Sequence, residues 1–122
     1  MISLKYETEV TEIGCLALDF YSENMLIMFK AGVPAEFREL SVVHNVKTAL
    51  TECPAVEDTF AIGDTKYKIT AVGDVACKNL EQLGHVTLKF DEAANAELPG
   101  NIHLSPSKLP EIKVGNEILI YG

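Results

Sequence analysis

The sequence has no tryptophan and only three cysteines, and no two cysteines form a CxxC pair. Without such pairs, zinc ribbons and thioredoxin-type redox motifs have no ligands to build from. Cys15, Cys53 and Cys77 are odd in number and widely spaced. They are expected to be free thiols in a reducing compartment. No apolar run approaches the roughly 20 residues of a spanning helix. The stretch Met1–Glu7 holds no apolar signal core, so a cytoplasmic protein without an export signal is expected. Basic residues are scarce: ten Lys plus Arg stand against eighteen Asp plus Glu, a net charge of −8. Such a surface repels phosphate backbones and anionic lipid, which speaks against nucleic-acid and membrane-surface roles. Aromatics are sparse and do not interleave with basic residues, so no base-stacking platform is indicated. Glycine-rich phosphate loops and the GxSxG nucleophile elbow are also missing.

What is present is an ordinary globular composition, 48% hydrophobic and 23% charged, in a 122-residue chain long enough to bury a core. No internal repeat or linker is legible, so residues 1–122 are read as one domain. The dominant period is two. Leu4, Tyr6, Thr8 and Val10 alternate with Lys5, Glu7, Glu9 and Thr11, as in a half-buried strand. A bulge or turn is expected at Glu12–Gly14. The run Met25–Phe29 suits a strand buried on both faces. Leu40–Val46 predicts another, with Val42, His44 and Val46 on one face, and Lys47–Pro54 tolerates a helical turn. Thr59–Ala71 predicts a hairpin about Gly63-Asp64. One helix is expected, capped by Asp74 and closed by Gly84. Strands are then expected at Val86–Phe90, Asn101–Leu104 and Ile118–Tyr121. The fold class is therefore all-β: a small, mostly antiparallel barrel or sandwich with one short helix. Too few helices are expected for parallel crossovers.

Paired carboxylates such as Glu57-Asp58 and Asp91-Glu92 fall in apparent loops and read as solvated surface. Three histidines remain as chemistry-bearing residues: His44, His85 and His103. Histidine serves as base, ligand or nucleophile near neutral pH. No spacing joins the three into a metal motif. A lone strand histidine is more often a packed, hydrogen-bonded residue than a reactive one. His44 stands out because Val42 and Val43 flank it on one side, and Asn45, Lys47 and Thr48 on the other. The apolar residues suit protein docking, and the polar ones suit phosphoryl oxygens.

The order of segments adds a resemblance that covers nearly the whole chain. It runs through Thr11-Glu12-Ile13-Gly14, Met25–Phe29, Gly32-Val33-Pro34-Ala35 and Val43-His44. Its most specific part is Ile69-Thr70-Ala71-Val72-Gly73 followed by Leu83-Gly84-His85-Val86-Thr87-Leu88-Lys89-Phe90-Asp91. Ala96-Glu97, Pro99-Gly100 and His103-Leu104 follow in order. In these segments the chain resembles the glucitol/sorbitol-specific IIA components of the bacterial phosphotransferase system. The resemblance implies a mostly β phosphotransferase component without organic cofactor or obligatory metal. Such a protein takes a phosphoryl group on a histidine from the general histidine phosphocarrier protein. It passes the group to the IIB part of the IIB/IIC membrane transporter, whose nucleophile is expected to be a cysteine. By position after the Gly-x-Pro-Ala turn, His44 matches the phosphoryl acceptor. His85 is expected as a supporting residue, Lys47 and Thr48 as phosphoryl-binding groups, and His103 as structural. Some members carry a second histidine two positions after the acceptor, where this chain has Val46. A docking patch of this kind also allows a homodimer. The rival readings are a small-ligand binding β-barrel, a regulatory interaction domain and, more remotely, a three-histidine metal hydrolase.

Overall fold

The computed structural model describes residues 3–122; Met1 and Ile2, where the stretch Met1–Glu7 read above begins, lie outside the described residues. Eight strands close into a barrel: β1 (Leu4–Ile13), β2 (Met25–Lys30), β3 (Val42–Thr48), β4 (Thr59–Ile62), β5 (Thr65–Val72), β6 (Val86–Lys89), β7 (Asn101–Ser105) and β8 (Glu117–Tyr121). Around the barrel the order is β1-β3-β2-β6-β7-β5-β4-β8, and β8 returns to β1. Period-two alternation decides the inside. Tyr6, Thr8 and Val10 of β1, Leu26 and Met28 of β2, and Phe60 and Ile62 of β4 are all buried. Tyr67, Ile69, Leu88, Ile102, Leu104, Ile118 and Ile120 complete much of the core. Closure removes free sheet edges, which lets so short a set of strands stand without covering layers.

The expected barrel is present, with a first set of corrections to its details. Six strand pairings are antiparallel, but β2–β3 and β6–β7 are parallel. The first crossover needs only a four-residue helix, α1 (Ala35–Arg38), and the second needs none, so a low helix count did not exclude parallel pairs. Helices number more than one: α2 (Ala76–Leu83) matches the expectation, and a 3-10 segment, Ala17–Glu23, joins β1 to β2. Asp74 does not cap α2; Val75 stands at the N-cap without a side-chain cap bond, whereas Gly84 does close the helix in the left-handed region. β2 is half-buried in alternation, not buried on both faces, and residues after Thr48 form an irregular loop, not a helical turn. β1 is irregular in three places, between Leu4 and Tyr6, between Glu7 and Thr8, and between Val10 and Glu12, the last of them one step before the expected bulge.

A second correction concerns the cysteines. Cys53 and Cys77 are joined in a disulfide with Cα atoms 5.4 Å apart; Cys15 alone is free and exposed. The loop after β3 and the first turn of α2 meet at one end of the barrel, a proximity that 24 residues of separation conceal.

The barrel also repeats itself in a way the sequence hides. Exchanging β1, β2, β3 and β4 with β5, β6, β7 and β8 reproduces the same ring and the same pairing directions. Gly14 ends β1 and Gly73 ends β5 in matching places. Their N–H groups donate to the carbonyls of Ser41 and Asn101 at 2.9 and 2.8 Å. An added Cβ would lie 2.2 Å from the Arg38 carbonyl oxygen at one and 2.1 Å from that of Pro99 at the other. Only glycine admits so close a backbone approach. Lys30 is in register with His44, and Lys89 with His103, but these two pairs are not equivalent in the repeat: the first shares the core-facing side with Met28 and Val42, and the second alternates with core Leu88 and Ile102.

Candidate functional site

His44 lies on the inner face of β3 and is fully buried, at 0% exposure. Its Nε2 is 2.7 Å from the carbonyl oxygen of Gly84. That oxygen only accepts, so Nε2 carries the proton and donates. Nδ1 then holds the lone pair and accepts from the hydroxyl of Thr8 on β1. Burial pushes the ring below the ordinary histidine value of 6.5, and the Gly84 carbonyl offsets this only in part. The result is a neutral imidazole with a defined tautomer and no carboxylate beside it. Gly84 is the hinge of this arrangement. It has a φ of +59°, and an added Cβ would lie 2.6 Å from Cβ of Lys30 and 3.0 Å from Cε1 of His44.

His85 follows Gly84 but turns elsewhere. Its Nδ1 donates to the Met28 carbonyl at 3.1 Å, and its ring stacks on Phe29 at 4.1 Å. Phe29 also meets Phe37 at 5.4 Å. Phe37 and Leu83 are both exposed. A half-exposed aromatic surface therefore borders the segment that holds His44. Lys47 and Thr48 continue β3 beyond His44, yet their side chains engage carboxylates of β1. Lys47 pairs with Glu9 at 3.3 Å, and the Thr48 hydroxyl donates to Glu7 at 3.0 Å. Neither contacts the imidazole through these bonds.

His103 lies on β7 in the other half, between the core residues Ile102 and Leu104 and so on the outward-facing side of the strand. The Glu97 N–H donates to its Nε2 at 3.1 Å, so its Nδ1–H donates to the Asp91 carboxylate at 2.7 Å. The three histidines do not converge, and among the described residues no group of three His, Cys, Asp or Glu side chains is placed to hold a metal ion.

Sequence reasoning missed three residues near His44: Thr8, Tyr6 and Lys30. Thr8 was legible as a polar residue on an otherwise apolar strand face, and Lys30 as the charge that ends the apolar run of β2. Tyr6 sets its ring edge-on to His44, with centroids 6.3 Å apart. Its hydroxyl is the buried side-chain polar atom left without a hydrogen-bond partner among the described residues.

Comparison with known proteins agrees over nearly the whole chain. A family model described as the PTS system glucitol/sorbitol-specific IIA component matches residues 5–119. The glucitol/sorbitol-specific EIIA component of Escherichia coli K12 is 41% identical over 114 residues, which is 91% of this chain and 89% of that protein. The Shigella flexneri counterpart matches equally, at 41% over the same length. A PTS system IIA component from Enterococcus faecalis V583, known by crystal structure, is 34% identical with a TM-score of 0.79. That match covers 92% of this chain and 96% of the other.

Proposed function

From a chain that belongs to the glucitol/sorbitol-specific IIA family of the phosphotransferase system, we propose that His44 is the residue that carries the phosphoryl group. The carrying observation is its setting: a buried, neutral imidazole with each ring nitrogen on an uncharged partner, Thr8 and Gly84. A carboxylate there would repel the incoming phosphoryl dianion. Residues 1–122 then act as one IIA domain in the cytoplasm, between the general histidine phosphocarrier protein and the IIB component.

In the first step a lone pair of His44 attacks the phosphorus of the donor phosphohistidine. One P–N bond forms and one breaks, and the electron pair of the broken bond stays on the donor imidazole. The ring nitrogen that takes the phosphoryl group gives up its present partner. The other keeps its own, which fixes the ring. Little acid–base work is required, so catalysis is positioning and charge stabilisation. The second step reverses the roles, and a IIB nucleophile takes the group. Because His44 is fully buried, docking must open the Gly84 segment or the strand ends beside it. The aromatic surface of Phe29, Phe37 and His85 borders that segment and suits a protein partner. A charge of −8 steers toward a basic donor surface, with an on-rate that falls as salt rises.

The test is direct. The protein is incubated with phosphoenolpyruvate, enzyme I and the phosphocarrier, and its intact mass is followed. One acid-labile phosphoryl group is expected on the wild type and on His103→Gln, and none on His44→Gln. Uptake by His44→Gln at the wild-type rate would overturn the assignment.

A further inference from the structure

A cavity of about 360 Å³ is lined by Tyr6, Lys30, Val46, Ala49, Leu50, Leu80 and Glu81; it adjoins His44 through Tyr6, whose ring meets the imidazole edge-on, and through Lys30, in register with it. Two of its groups are unspent. Tyr6 is only 2% exposed, yet its hydroxyl has no partner among the described residues. A buried polar group left this way destabilises the fold, so the fold alone gives no reason to keep it. Burial raises its pKa to about 12, which keeps it a protonated donor at neutral pH. Lys30 ends β2 in register with His44, and it takes part in none of the ion pairs among the described residues. Lys89, which is in register with His103 on the outer side of β6, is by contrast paired with Glu97 at 3.7 Å.

The geometry points to this cavity as an oxyanion subsite in which the Lys30 ammonium and the Tyr6 hydroxyl hold the phosphoryl oxygens beside His44. The inference rests on His44 being the phosphoryl acceptor. A cation and a neutral donor against the apolar walls of Val46, Leu50 and Leu80 suit a dianion, because low polarity strengthens both contacts. Lys47 and Thr48, engaged with Glu9 and Glu7, leave that task to this pair. Glu81 opposes it from the same lining and limits how tightly the group is held, as a relay that must release its cargo requires.

Two measurements test the subsite separately from the relay. Inorganic phosphate is titrated into the unphosphorylated protein while the side-chain NMR signals of Tyr6 and Lys30 are followed. Phosphoryl uptake is then timed for wild type, Tyr6→Phe, Lys30→Gln and Lys30→Arg. Lys30 is exposed, so its variants keep the fold. Saturable shifts at both residues are expected, weakened at least tenfold in Lys30→Gln and restored in Lys30→Arg. Uptake should slow about tenfold in Tyr6→Phe and in Lys30→Gln, the loss expected for a hydrogen bond to a charged group. Uptake at wild-type rates in both variants overturns the subsite and leaves the relay standing. Phosphate shifts in a wild type that takes no phosphoryl group keep the subsite and sink the relay. Absence of both sinks both.

Discussion

Each half of the barrel sets a lysine in register with a histidine, Lys30 with His44 and Lys89 with His103, but the first pair lies on the core-facing side of its strands and the second on the outer side, and the two are treated oppositely. In the second half, His103 is clamped between the Asp91 carboxylate and the Glu97 N–H, and Lys89 is paired with Glu97. Each of these charged groups has a partner, so that site is complete as structure. In the first half, His44 rests on a hydroxyl and a carbonyl, and Lys30 has no ion-pair partner and the Tyr6 hydroxyl no hydrogen-bond partner among the described residues. The His44 site has no carboxylate bound to its ring, unlike the His103 site, and the proposed relay would bring a phosphoryl group there. The difference is informative because the two halves share a topology and a histidine–lysine pairing yet place that pair on opposite faces.

The comparison breaks most sharply at Gly84. The position needs a positive φ and has no room for a methyl group between Lys30 and His44. Gly84→Ala should cost about 2 kcal/mol or more in stability and, by displacing the Gly84 carbonyl from Nε2, slow phosphoryl uptake at least tenfold. Urea unfolding and the intact-mass assay read the two effects. Wild-type uptake in a folded Gly84→Ala protein would show that the carbonyl does not position the ring.

A pH series sharpens the same comparison with a smaller effect. The unfolded chain takes a proton at His44 near 6.5, and the folded chain only at lower pH. Within that window the unfolded state binds more protons, so stability falls as pH drops below 6.5, levels off once the folded-state value is passed, and is unaffected above 6.5. In the other half, burial pushes the Asp91 carboxyl up, but His103 and the Ala93 N–H outweigh it and hold the group below its ordinary 3.8. Its contribution persists until pH falls through that lower value. His44→Gln should therefore flatten the stability profile just below 6.5, and Asp91→Asn should flatten it only below 3.8. Identical profiles for the two variants would erase the electrostatic distinction between the halves.

These contrasts show where a single sequence is readable. Strands β4 to β8 follow from period-two alternation between turn residues, because burial of one face acts on neighbours in sequence. His44 was legible as a candidate through its flanking residues and the family pattern. Thr8 and Lys30 stood out only as polar interruptions of apolar strands, and the bearing of Tyr6, Thr8 and Lys30 on His44 was not legible, because each becomes significant only through a partner on another strand. The internal repeat was hidden for the same reason. Backbone pairing and two close glycine contacts preserve it, and neither demands similar side chains. Lys47 and Thr48 looked like phosphoryl ligands by adjacency to His44, but strand geometry directs them to Glu9 and Glu7.

The smallest effect on the relay is expected at the disulfide, although it adjoins the cavity. Cys53 and Cys77 tie the loop after β3 to α2, and Leu50, Leu80 and Glu81 of these two segments line the cavity. The loop has other anchors. Thr51 N–H donates to the Lys5 carbonyl at 3.0 Å, and the buried Lys5 ammonium meets Asp58 at 2.6 Å. Glu57 N–H is held by the Ile69 carbonyl at 2.8 Å. A cross-link of this span acts chiefly on the unfolded chain, where it is worth about 3 kcal/mol. Reduction should therefore lower the unfolding midpoint yet leave phosphoryl uptake within about twofold of the oxidised protein. That outcome suits a relay working where thiols stay reduced. A tenfold loss of uptake on reduction, reproduced by Cys53→Ser, would instead make the cross-link part of the cavity wall and extend the functional half of the barrel to the disulfide.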